Sequence, residues 1–213
     1  MSIAAAKTEP ADWVKGAFFI ILAGLFVFLL PADESFWFDA RHPHWDHVRP
    51  FLPAFFVHVA GGVVALFAGG LQFWQGLRTR RPDLHRTIGK TYLVATAIGG
   101  PSAFYIQCLS ADKMFFYAAI AHSLTWIIAT GLAFWSIRLR DFEAHRLWMM
   151  RSYGMCLLFI TLRVPDAFPQ IVFDDASNTA LEFGQIFVVL IGIEILETVR
   201  KNRARMARQR PRA

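Results

Sequence analysis

Residues 51–77 read FLPAFFVHVAGGVVALFAGGLQFWQGL, and His58 is the one titratable side chain among them. A bilayer core takes about 20 residues of helix to cross at about 1.5 Å per residue. The stretch therefore predicts a membrane-spanning helix. A titratable side chain at that depth is costly, which makes His58 a functional candidate. Gly61, Gly62, Ala65, Gly69 and Gln72 share its helical face. Such a stripe of small residues lets helices approach closely. It would also leave room for a flat macrocycle, and close approach alone does not explain a histidine at its head.

Five more segments of the same kind flank this one: Trp13 to Leu30, Pro82 to Gln107, Met114 to Arg138, Phe142 to Val164 and Leu181 to Val199. The expected fold is all-α, an integral membrane domain of six transmembrane helices filling residues 1–213. Its core is 51–164, the helices at 13–30 and 181–199 flank it, and residues 200–213 form a basic tail. A hydrophobic content of 55% and a mean hydropathy of +0.39 suit that class. Little chain remains for a second, soluble domain. The first segment is too long for a signal-peptide core, and Leu30-Pro31-Ala32-Asp33 is a poor cleavage site, so it reads as a retained helix.

The net charge of +6 is unevenly placed. Arg78, Arg80, Arg81, Arg86 and Lys90 follow the second segment, Arg138, Arg140, Arg146 and Arg151 follow the fourth, and KNRARMARQRPRA follows the sixth. The opposite loops hold Asp33, Glu34, Asp39, Asp46, Asp112, Asp166, Asp174 and Asp175. Positive charge stays on the cytoplasmic side, so both termini are expected there. The basic tail is a topology determinant that touches anionic lipid, not a nucleic-acid site. Cys108 and Cys156 suggest neither a disulfide framework nor a zinc motif.

Segments two to five look like a duplicated hairpin. Gly70-Leu71-Gln72-Phe73-Trp74 closes the second and Gly131-Leu132-Ala133-Phe134-Trp135 the fourth. Each is followed by a basic loop, then His85-Arg86 or His145-Arg146, then Tyr92 or Tyr153. His58 precedes Gly70 by twelve residues and His122 precedes Gly131 by nine, a slip of about one helical turn. His122 also heads a small-residue face. His58 and His122 fall near the outer side, and His85 and His145 near the inner side, about 15–25 Å apart along the axis. Two imidazoles facing each other across a bundle can ligate haem iron, and this alternation offers that geometry twice.

The topology is similar to the diheme transmembrane cytochromes b of the ascorbate-reducing type. They have six helices, one haem between the second and fourth and another between the third and fifth. That resemblance implies axial-ligand roles for His58, His122, His85 and His145, two haems b, and electron transfer across the membrane with a quinone or another redox partner. On that reading the chain is a membrane oxidoreductase. Arg86, Arg146 and Arg151 would face haem propionates, or else anchor the inner interface. Arg163 stands against the charge trend near the outer end, so a paired or site role is expected, with Asp166 or a cofactor carboxylate as partner. The phrases HRxxGKxY from His85 to Tyr92 and HRxWMxRSY from His145 to Tyr153, with Arg163 before Pro165, resemble an uncharacterised family of predicted bacterial multi-pass membrane proteins. That resemblance implies a bacterial inner-membrane location and no activity.

Two other functions compete. The histidines could serve as a relay in a small-molecule or proton-coupled transporter, or be satisfied by interhelical hydrogen bonds in a non-catalytic membrane partner or assembly protein. The loop Arg41-His42-Pro43-His44-Trp45-Asp46-His47 could ligate Cu or Zn, or lie solvated at the interface. No phosphate-binding loop, nucleophile elbow or zinc-protease motif is present.

Overall fold

A computed structural model describes residues 10–32, 35–109, 116–163 and 175–209. Among them every regular element is helical. The helices are α1 (Pro10–Ala32), α2 (His44–Val48), α3 (Leu52–Gln72), α4 (Gln75–Arg80), α5 (Pro82–Leu109), α6 (Phe116–Arg138), α7 (Phe142–Thr161) and α8 (Asp175–Gln209). The run His44–Gln72, α6 and the stretch Ala176–Asn202 of α8 are long and apolar enough to cross a membrane. Helices α5 and α7 have the length, at 28 and 20 residues, but carry cations such as Lys90, Arg146 and Arg151. In α1 the described apolar stretch is Phe19–Leu29.

Helices α3, α5, α6 and α7 pack in that order around a square, which α7 closes against α3. Helix α8 lies against α6 and α7, and α1 touches α7. Side-chain bonds fix the register. His58 Nδ1 lies 3.1 Å from the Gly99 carbonyl, and Gln72 Nε2 donates to the His85 carbonyl at 3.2 Å. Each partner thus advances fourteen residues, 58 to 72 and 85 to 99, so α3 and α5 run antiparallel over roughly 21 Å. Their contact is backbone on backbone: a Cβ on Gly61 would sit 2.9 Å from Gly99 Cα. The small-residue stripe below His58 is used for this approach, with Tyr153 and Tyr92 closing over Gly69.

The connections depart from the sequence expectation. The second helix stops at Gln72, not Leu77, and α4 is separate. Trp74 is extended, with ψ 111°, and 63% exposed. Its indole favours the membrane interface, whereas Phe73 packs against the core. In the second hairpin the matching Gly131–Trp135 lies inside α6, which runs on to Arg138. That helix ends in a Schellman turn: Asp141 N–H bonds the Ser136 carbonyl, Arg140 N–H bonds that of Ile137, and Arg140 adopts φ 60°. The Asp141 carboxylate then caps α7 by accepting from Ala144 N–H at 2.9 Å. The last helix overruns its expected end at Val199 and continues to Gln209, because good helix formers follow and the next proline is Pro211. Asp33, Glu34, Asp112, Asp166 and Asp174 of the expected outer loops, and residues 210–213 of the tail, lie outside the described residues.

Candidate functional site

The hairpins place their outer histidines alike. His58 of α3 bonds the Gly99 carbonyl of α5, and His122 of α6 bonds the Met155 carbonyl of α7 at 3.0 Å. His58 also meets the Phe159 ring edge-on at 6.0 Å. Since Phe159 lies one turn beyond Met155, the two histidines are offset by about a turn. They are within electrostatic reach of each other, as are His85 and His145. The members of each expected pair thus stand on diagonally opposite helices of the square.

His122 makes a second contact: its Nδ1 lies 2.8 Å from Glu182 Oε1 of α8. The Glu182 side chain is 2% exposed. A carbonyl only accepts, so Nε2 of His122 carries a proton. One more proton must then lie between Nδ1 and Oε1, giving either imidazolium with carboxylate or neutral imidazole with carboxylic acid. The pair is net neutral either way, which is what a water-poor interior favours. Oε2 of Glu182 is buried, with no hydrogen-bond partner among the described residues. Sequence reading missed this residue by treating the last helix as a flank. Its signal was present: an acid in an apolar helix is as costly as a histidine.

Below this level lies a ring of hydrogen bonds whose directions can be assigned. Trp126 Nε1–H donates to Tyr92 OH at 3.3 Å. Thr130 Oγ1 donates to the Trp126 carbonyl at 2.8 Å, so in its 2.5 Å contact with Ser152 it accepts. Ser152 has then used its proton, and Tyr92 O–H donates to it at 2.6 Å. Every hydroxyl donates once and accepts once, and the ring begins and ends on Trp126. Tyr153 OH separately donates to the Leu66 carbonyl at 3.2 Å.

At the inner level His145 Nδ1 donates to the Ala133 carbonyl at 2.8 Å, which leaves Nε2 as the nitrogen with a lone pair. His85 Nδ1 is buried, with no hydrogen-bond partner among the described residues. The arginines have protein partners. Arg146 pairs with Glu197 at 2.6 Å, and Arg151 with Glu194 at 2.5 Å while lying 4.7 Å from the Trp148 ring. Arg86 reaches Asp83 at 3.4 Å on the exposed side. Arg163 stands 5.0 Å from the Phe159 ring, within electrostatic reach of His58. Its expected partner Asp166 lies outside the described residues.

The outer pair does not fit a haem as it stands. Both nitrogens of His122 are engaged by Met155 and Glu182, and the Gly61–Gly99 contact fills the space beside His58. The inner pair keeps the ligand chemistry, since His145 is oriented through Nδ1 as axial histidines are. The loop from Phe36 to Trp45 forms an aromatic cap. Phe36 is buried against His44, at 4.3 Å, and Trp45, at 5.2 Å, while His42 Nδ1 accepts from His44 N–H. Among the described residues no three His, Cys, Asp or Glu side chains gather into a metal site.

Residues 55–198 match the family described as Predicted membrane protein (DUF2306). The chain belongs to the DUF2306 family. The match runs from α3 into α8 and so takes in Glu182 together with all four histidines. The chain is thus a membrane protein of a family whose function is unknown, with apolar helices suited to contact with lipid. No curated protein and no solved structure matches it, and nothing in the comparisons supports the likeness to diheme cytochromes.

Proposed function

We propose that this DUF2306 protein is a proton-coupled carrier of the inner membrane that binds its proton at His122 and Glu182. The reading rests on one observation, a buried carboxylate and imidazole 2.8 Å apart on different helices, the second carboxylate oxygen having no partner among the described residues. Titratable groups at membrane depth mark proton relays and transport sites. The self-contained ring on Trp126 separates this site from the inner histidines, as a barrier in a carrier must. We also propose six spans with both termini cytoplasmic. Support comes from Arg78, Arg80, Arg81, Arg138, Arg140 and Lys201, which gather at one end of the antiparallel helices.

The test is infrared difference spectroscopy of the full chain in lipid, titrated between about pH 4 and pH 9, a range that spans ordinary carboxyl and imidazole titration. A carboxyl band that appears with acid and is absent in Glu182→Gln is expected. A titration unchanged by Glu182→Gln overturns the reading.

A second reading is a b-type haem on His85 and His145, favoured by the Nδ1 bond of His145 to Ala133. When bound, haem would supply one-electron chemistry. Protein from haem-replete cells would show a Soret band that His145→Ala removes and His122→Ala leaves. Colourless protein would exclude it.

A further inference from the structure

A half-open groove of about 420 Å³ runs along the seam between α1 and α3, floored by Tyr153 of α7. Phe19, Phe26, Leu66 and Phe67 form its apolar walls, and Trp74 and Gln75 its inner mouth. The volume lies within the range of small-molecule sites. The outer faces of the flanking helices are apolar and exposed, at Ile20 and Ile21 on α1 and at Phe67 and Leu71 on α3. The groove therefore opens toward lipid.

The mouth carries a cluster of positive charge. Arg78 follows Gln75 by three residues on α4, so the two share a helical face. Its backbone N–H bonds the Trp74 carbonyl at 3.3 Å, which places it one turn from the mouth. Arg80 and Arg81 extend the cluster, and all three are exposed. None of them has a carboxylate partner among the described residues, whereas Arg86, Arg146, Arg151 and Arg200 each have one. An apolar trough ending in an interfacial tryptophan and then a cluster of exposed arginines is complementary to one kind of membrane molecule.

We propose that this groove is a binding site for an anionic phospholipid, with an acyl chain between α1 and α3 and the phosphate on Arg78. Arginine binds phosphate oxygens in a two-pronged manner, and the neighbouring guanidinium groups add long-range attraction to an acidic headgroup. A zwitterionic lipid would fill the same trough and gain less from the cluster.

The test is native mass spectrometry of the full chain in detergent, with dioleoyl phosphatidylglycerol competing against dioleoyl phosphatidylcholine. The wild type should retain phosphatidylglycerol preferentially. Arg78→Gln should lower that preference about fivefold, Arg78→Lys should keep most of it, and Arg86→Gln should leave it unchanged. Ala23→Trp, which fills the groove from the exposed side of α1, should reduce retention of both lipids. Melting temperatures measured alongside show that each variant is folded. Equal retention of the two lipids by the wild type, an unchanged preference in Arg78→Gln, or full retention in folded Ala23→Trp would each overturn the site.

Discussion

Removing the two members of the His122–Glu182 pair separately should have very unequal effects. In His122→Leu, Glu182 remains 1% exposed with a partner for neither oxygen. Stranding one member of a buried pair costs about 3–5 kcal/mol. In Glu182→Leu a neutral imidazole keeps its Nε2 bond to Met155, so only the Nδ1 lone pair is stranded. An unsatisfied buried acceptor costs about 1–3 kcal/mol. Glu182→Gln puts an amide N–H where the shared proton lies, so the bond to neutral His122 survives at a cost under about 1 kcal/mol. The double Leu variant removes both polar groups and should recover most of the loss, because replacing a whole buried pair by apolar residues is often neutral. For a chain of this length about 1 kcal/mol moves the melting temperature by about 2–4 °C. His122→Leu should then melt roughly 6–20 °C lower, while Glu182→Gln stays within about 4 °C of wild type. Tryptophan fluorescence during thermal unfolding, at fixed detergent and protein concentration, gives all four values. If Glu182→Gln melts as low as Glu182→Leu, or the double variant loses the sum of the singles, the shared-proton pair is wrong.

Gly61→Ala should destabilise by about 1–3 kcal/mol, because its Cβ would stand 2.9 Å from Gly99 Cα; Gly131→Ala, which meets nothing within 4 Å, should be neutral or slightly stabilising in the same melting assay. Arg140→Gly relieves the φ of 60° at the Schellman position and should raise stability by up to about 1 kcal/mol. Tyr92→Phe opens the hydrogen-bond ring, strands the buried Trp126 indole N–H and should cost about 1–3 kcal/mol; an unchanged melting temperature would mean that the ring is not closed. Green fluorescent protein fused to either terminus should fluoresce and alkaline phosphatase should stay inactive, as both termini facing the cytoplasm requires; phosphatase activity at one end would leave an odd number of spans.

The parts legible in the sequence were those where one residue type has one main physical use. Long apolar runs marked the helices, and the repeat marked His58 and His122 as alike, each bonding a backbone carbonyl of the next helix. The parts that were not legible depended on a choice between two uses of the same residues. Gly61 and Gly99 could leave a slot or close one, and only the relative rotation of α3 and α5 decides for closure. Arg146 and Arg151 could face the bundle or its flank, and their carboxylates lie about 50 and 40 residues away, on a helix that no local pattern ties to α7. The repeat hid a difference as well, since the same Gly-Leu-x-Phe-Trp pattern ends a helix in one hairpin and continues it in the other.

Helix α8 changes what the outer level can be. Among the described residues His58 bonds a single backbone carbonyl through Nδ1, and a histidine held that way has the fixed orientation that suits a metal ligand. A histidine held at both nitrogens, as His122 is, has exchanged that capacity for a shared proton. The two hairpins are thus alike in backbone and unlike in chemistry, and the difference comes from a single carboxylate supplied from outside the repeat. Replacing Glu182 by leucine would return the Nδ1 lone pair to His122, but Nε2, the nitrogen aimed at Met155, would still be bonded. Losing the acid alone therefore does not turn the outer pair into a ligand pair, and α7 would also have to withdraw its carbonyl.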